Sequence, residues 1–180
     1  MKYLLFLMYS PIYREMPTTK SISFSYQEVD SVDELMPEDQ ELVSAATSAT
    51  ENAYAPYSRF CVGAAVRLSS GRIFKGSNVE NAAFPSGICA ERSALSWALT
   101  NYPGDHPVTL AVTAINKDGS RAGNISPCGI CRQVIAEEEM RSGIKIRILL
   151  AGSDGLLVIN SGSDLLPLQF SSRSFTAGLP

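Results

Sequence analysis

Phe60-Cys61-Val62-Gly63-Ala64-Ala65-Val66-Arg67-Leu68-Ser69-Ser70-Gly71-Arg72-Ile73-Phe74-Lys75-Gly76-Ser77 sets the architecture of this chain. Phe60, Val62, Ala64, Val66 and Leu68 recur at every second position, the period of a strand with one face buried. Ser69 to Arg72 supply turn residues, and residues 73–77 return as the second strand of a hairpin. Upstream, Pro37-Glu38-Asp39 opens a helix, with proline in the first turn and acids at the positive end of the dipole. Leu42, Val43, Ala46, Ala49 and Ala53 continue it at helical spacing until Pro56. Downstream, residues 89–101 read as a helix, 108–115 as a strand, and 127–140 as a helix closed by Gly143. Residues 144–150 read as a buried strand, a turn follows at 152–155, and 156–159 form a fifth strand. Residues 163–166 make a last helical turn. This order predicts an α/β fold, a mixed five-stranded sheet sandwiched by helices.

The 180 residues fit one domain, 45% of them hydrophobic and 18% charged. Residues 1–36 show little periodicity and are read as a poorly ordered N-terminal extension, with the catalytic domain spanning 37–180. The apolar run Met1 to Tyr9 faintly resembles a signal peptide, but it is short and lacks a small-residue cleavage site. It is also too short to span a bilayer. The net charge is −3, with 15 Lys and Arg against 18 Asp and Glu. No basic footprint marks a nucleic-acid binder, so no nucleic acid and no membrane is expected as partner. Four cysteines in a chain of this length do not make a disulfide scaffold. A reducing, cytoplasmic setting is expected, where thiols serve as metal ligands or catalysts.

Two segments carry the chemistry: Cys89-Ala90-Glu91-Arg92 and Pro127-Cys128-Gly129-Ile130-Cys131-Arg132. Cys128 and Cys131 are three apart at a helix start, which sets both sulfurs on one face about one turn apart. Cys89 opens another helix. Free amides and the dipole at two such starts stabilise anionic sulfur. Three thiolates plus one solvent position make a catalytic zinc site. Glu91, two residues after Cys89, points elsewhere than the cysteine and can stand beside the metal as a proton carrier. Arg92 and Arg132 each follow a ligand cysteine, and at least one is expected to hydrogen-bond to the thiolates and withdraw charge from them. Other readings of Cys-x-x-Cys are a redox pair or half of a structural zinc site. A structural site needs a fourth ligand, for which Cys61 and His106 are the candidates. Cys61 reads instead as a small core residue and His106 as a solvated turn histidine.

Cys-Ala-Glu followed by Pro-Cys-x-x-Cys resembles the signature of the zinc deaminases, and the wider pattern resembles the small, homotetrameric type of cytidine deaminase. The stretches that carry it are 55–60, 78–82, 89–92 and 126–134, with a weaker match at 165–170. The resemblance covers about residues 38–170. It implies one zinc per subunit, hydrolysis of cytidine or deoxycytidine to the uridine counterpart with loss of ammonia, and a homotetramer with shared active sites. It implies ribose contacts from Asn78 and Glu80, which as i and i+2 of an extended segment face the same way. Ala90 is implied as a substrate contact, and Phe60 as the aromatic beside the base. Phe170 is implied as the ring that reaches a neighbouring subunit's site. Phe84 stands where the family often has tyrosine, a residue associated with the neighbour's pocket; it keeps the ring and loses the hydroxyl. Alternatives are a deaminase of another aminated nucleoside, of the blasticidin type, a non-catalytic zinc module, or a thiol redox protein.

Overall fold

Among the described residues six strands form one mixed sheet in the order β1-β6-β5-β4-β2-β3. The computed structural model describes residues 18–172. In chain order the elements are β1 (Tyr26–Val29), α1 (Pro37–Ala49), β2 (Cys61–Leu68), β3 (Ile73–Ser77), α2 (Ala90–Asn101), β4 (Pro107–Ile115), α3 (Gly129–Ser142), β5 (Arg147–Gly152) and β6 (Gly155–Ile159). Short 3-10 turns occupy Val32–Glu34, Thr50–Asn52, Phe84–Ser86 and Gly162–Leu165. Only β4 and β5 run parallel, and α3 makes the crossover between them that a parallel pair requires. Every other neighbouring pair is antiparallel.

The strand alternation sorts side chains to two faces. Ala64, Val66, Leu68, Leu110, Val112, Ile148 and Leu150 face α2 and α3, where Ala94, Leu95, Ala98 and Ile135 meet them. Ala65, Ala111, Leu149, Ala151 and Val158 face the other way, toward Leu42, Val43 and Ala46 of α1. The α/β sandwich is as expected. Truncating a fully buried side chain such as Leu95 to alanine would cost about 2–5 kcal/mol.

The strand count is corrected from five to six. β1 lies in the segment expected to be a poorly ordered extension, yet it pairs with β6 from Tyr26↔Ile159 to Val29↔Leu156. Val29, Val32 and Leu35 pack into the α1-side core. The packed domain therefore begins before Pro37. Three of the four β1 side chains are exposed, so backbone bonds to β6 hold the strand and no burial pattern betrays it. The signal-like run at residues 1–9 lies outside the described residues.

Candidate active site

Two helix N-termini on one face of the sheet meet at the site. Cys89 is the N-cap of α2 and Cys128 the N-cap of α3; both have extended backbone, and neither side chain caps its helix. The first-turn amides are thus left to a ligand or to the sulfurs themselves. Gly76 of β3 lets α2 approach so closely that a Cβ there would lie 2.4 Å from Ala90 O and from Ala94 N. That approach seats the start of α2 directly on the sheet.

Cys89 Sγ lies 3.7 Å from Cys128 Sγ, and Cys128 Sγ lies 3.5 Å from Cys131 Sγ. All three sulfurs fall within 4.8 Å of one another. Tetrahedral zinc with bonds of about 2.3 Å sets its sulfurs about 3.8 Å apart, so the donor set and its spacing fit that ion. No fourth His, Cys, Asp or Glu atom joins the cluster among the described residues. Cys61 stays half-buried on β2. His106 is not the solvated residue expected: it is half-buried, with Nδ1 3.6 Å from Oε1 of the buried Glu138. One coordination position is therefore left for something other than these side chains, unlike a closed structural site.

Left to themselves, the sulfurs share protons. The Cys89 thiol is lowered to about 6, first by the hydrogen bond from Cys131, against burial. The Cys131 thiol is raised, first because it donates to Cys89 and then because it is buried. A divalent cation replaces those protons with its own charge.

Glu91, in the first turn of α2, is 4% exposed. Burial raises its pKa above the ordinary carboxylate range, against a bond from its own backbone amide, a bond from Cys131 and the field of Arg92. It stands beside the sulfurs without joining them. A carboxyl so placed is positioned to accept a proton and to return it.

A cavity of about 670 Å³ opens from this cluster, lined by Cys89, Ala90, Glu91, Arg92 and Cys128 and, away from them, by Phe60, Val62, Asn78, Glu80 and Phe84. Residues 78–80 are clamped from both sides. Tyr54 N donates to Asn78 O and Glu80 N to Tyr54 O, while Val79 and Ile88 exchange a pair of backbone bonds. The Asn78 side chain accepts from Val62 N at 2.8 Å and donates to Phe60 O at 3.0 Å. Glu80 Oε2 accepts from Tyr57 N at 2.8 Å and Ser58 N at 3.3 Å. Those bonds fix both side chains in the cavity wall, and Asn78 Nδ2 carries a second N–H beyond the one given to Phe60 O. Hydrogen bonding, led by the Ser58 side chain, holds the Glu80 carboxyl below its usual range, so it remains an acceptor.

The arginines divide. Arg132 Nε donates to Pro127 O at 2.7 Å and Nη1 to Leu165 O at 3.0 Å. It ties the Cys128 loop to the 3-10 turn Gly162–Leu165 rather than to sulfur, its Nε and Nη1 both engaged by carbonyls. Neither guanidinium donates a hydrogen bond to sulfur among the described residues; Arg92 acts on Cys89 and Glu91 through its field. Phe170 does not line its own chain's cavity. It is 65% exposed, and its carbonyl accepts from Gln133 Nε2. Phe84 is 74% exposed at the rim of its own chain's cavity, edge-on to Tyr57 with ring centroids 5.8 Å apart. Sequence reasoning gave Tyr57 no role, although its amide and ring brace Glu80 and Phe84. Ile125, which lines the cavity ahead of Cys128, was passed over, and Ser126 was quoted only as part of the 126–134 stretch with no role of its own. Their position before the Pro-Cys-x-x-Cys run was the available signal.

Residues 36–145 match the family model described as the cytidine and deoxycytidylate deaminase zinc-binding region. A cytidine deaminase of Halalkalibacterium halodurans is 38% identical over 134 residues, 74% of this chain and 95% of that one. One of Sporosarcina psychrophila is 43% identical over 137 residues, covering 76% and 94%. A crystal structure of the cytidine deaminase from Burkholderia pseudomallei superposes with a TM-score of 0.62 at 40% identity, covering 73% of this chain and 98% of the other.

Proposed function

Starting from the chain's membership of the zinc-dependent cytidine deaminase family, we propose that Cys89, Cys128 and Cys131 hold the zinc and Glu91 carries the protons of hydrolytic deamination. The protein is an enzyme, a hydrolase that acts on the C–N bond of cytidine, with one zinc per subunit. The observation that carries the residue assignment is three sulfurs within 4.8 Å of one another, with no fourth ligand atom among the described residues, at the end of a cavity that also holds Glu91.

When bound, zinc supplies Lewis acidity that brings a coordinated water's pKa toward neutrality. Glu91 takes the water's proton on its carboxylate and passes it to N3 of the pyrimidine. As the water oxygen bonds to C4, Glu91 would carry that oxygen's second proton to the exocyclic amine, so that the C4–N bond breaks, C4=O forms and ammonia leaves. Burial of Glu91 supports this role, because its raised pKa suits transfer in both directions. Asn78 and Glu80 hold the ribose hydroxyls through an amide N–H and a carboxylate acceptor. Phe60 packs beside the base. Ala90, at the first position of α2, presents backbone to the ring.

The substrate is a small nucleoside, deoxycytidine included, and the setting cytoplasmic. No helix among the described residues is long and apolar enough to cross a membrane. The assembly is a homotetramer in which Phe84 and Phe170 complete a neighbour's site. Their exposure, together with that of Tyr57, Ile130 and Leu168, supports that reading. The decisive test follows cytidine loss by ultraviolet absorbance, with and without a chelator, alongside metal analysis. Activity lost with the chelator and restored by zinc, at one zinc per chain, is expected; full turnover in metal-free protein would refute the assignment.

A further inference from the structure

Lys20-Ser21-Ile22-Ser23-Phe24-Ser25-Tyr26-Gln27-Glu28 takes no part in the site and precedes the segment that matches the family model. Its last three residues belong to β1, whose one edge pairs with β6 while, among the described residues, the other ends the sheet. Residues 18–25 lead into β1 exposed and without a backbone hydrogen bond among the described residues. Ile22, Phe24 and Tyr26 are 62%, 47% and 51% exposed. Phe24 and Tyr26 place their ring centroids 6.4 Å apart, so they share a side. An open edge with an apolar stripe pairs with whatever strand it meets unless proline or charge blunts it. Residues 18–28 contain no proline, and their two charges sit at opposite ends of the stripe.

Those charges say what covers the edge. Read antiparallel to itself about Phe24, the run sets Lys20 against Glu28, Ile22 against Tyr26, and Phe24 against its own copy. Ser21 and Gln27, and Ser23 and Ser25, meet on the opposite face. Moving the axis to Ser25 would put Ile22 against Glu28, and moving it to Ser23 would put Tyr26 against Lys20. One register alone therefore matches charge to charge and apolar to apolar. We infer that residues 20–28 pair antiparallel with the same residues of a second copy of this chain, about a two-fold axis at Phe24. Such a contact is isologous, as a closed dimer needs. Residues 20–22 of one copy lie along the outer edge of β1 in the other, and the two six-stranded sheets become continuous.

Disulfide trapping in the full-length zinc enzyme tests the register. Directly opposed residues of an antiparallel pair have Cα atoms about 4.5–5.5 Å apart, within disulfide reach. Under mild oxidation with oxidised glutathione, Phe24→Cys should yield a covalent dimer. Ile22→Cys should yield no more than the wild type, and the Ile22→Cys/Tyr26→Cys pair should yield it again. In the Phe24→Cys background, Lys20→Glu should slow dimer formation about tenfold, and adding Glu28→Lys should restore it. Wild-type cytidine turnover in each variant confirms the fold. No dimer from Phe24→Cys, or Ile22→Cys trapping as fast as Phe24→Cys, or a charge swap without rescue, would overturn the pairing.

Discussion

Replacing Gly76 with alanine should weaken both the fold and the chemistry, and the structure says by how much. The added methyl would lie 2.4 Å from Ala90 O and Ala94 N, the two ends of one hydrogen bond in the first turns of α2. Ordinary contact begins near 3.4 Å, so the helix must retreat by about 1 Å, 3.4 minus 2.4. Both obstacles are backbone, and no side chain can swing aside. Overpacking of this kind costs about 1–3 kcal/mol. For a domain of this size that lowers Tm by roughly 2–12 °C. The retreating turn carries Glu91 and adjoins Cys89, and a displacement of about 1 Å at reacting groups costs about 100-fold in rate.

Gly63 supplies the control. A Cβ there would lie 2.0 Å from Ala46 O, but on the face covered by α1, which carries no site residue. Gly63→Ala should therefore lose at least as much stability while keeping kcat near the wild-type value in folded protein. Thermal unfolding and ultraviolet-monitored turnover at a low temperature, where both variants are folded, separate the two effects. If Gly76→Ala loses stability yet keeps kcat within about twofold, the backbone contact between β3 and α2 does not position Glu91.

Glu91→Gln should retain fold and stoichiometric zinc while turnover falls about 10²–10⁴-fold or more, measured by metal analysis beside the rate assay. Arg132→Ala strands the carbonyls of Pro127 and Leu165. It should lose about 1–3 kcal/mol in thermal unfolding and bind zinc about 10–100-fold more weakly in chelator competition. Asp105 accepts from Ser70 and Ser69 in the turn between β2 and β3, and those bonds, Ser70 first, lower its pKa to about 2. A depressed carboxyl stabilises the folded chain fully above its ordinary value of 3.8 and loses that effect as pH falls through about 2. The Tm gap between wild type and Asp105→Asn should thus stay constant down to about pH 4 and close below it; a gap that closes between pH 7 and 5 would contradict the assignment.

What could be read in advance follows the length scale of each signal. Strand β2 and helix α1 declared themselves because burial of one face imposes a period on consecutive residues, and α2 and α3 through helix-forming composition and the proline or glycine that bounds them, whereas β4, buried on both faces, shows no alternation. The spacing of Cys128 and Cys131 is likewise local, and the structure sets their sulfurs 3.5 Å apart. β1 was missed because its ladder to β6 is backbone to backbone, a bond that any side chain but proline permits. The engagement of Arg132 was missed for the opposite reason. Its adjacency to Cys131 suggested sulfur, whereas its partner Leu165 lies 33 residues on and becomes a neighbour only through the fold. His106 shows the same limit: nothing near it in sequence announces Glu138.

The site inherits this division of labour. Its reactive groups sit within two residues of a helix start, Cys89 and Glu91 on α2, Cys128 and Cys131 on α3, so short motifs carry them. Their convergence depends on the small residue Gly76, which lets α2 close on the sheet, and on the Arg132 clamp that ties the Cys128 loop to the turn Gly162–Leu165. Chemistry is thus encoded locally and its geometry remotely. A variant at Gly76 or Arg132 should accordingly damage the metal site without touching a ligand, and the two should be separable. Gly76→Ala moves Glu91 and falls chiefly on rate, whereas Arg132→Ala frees the Cys128 loop and falls chiefly on zinc retention.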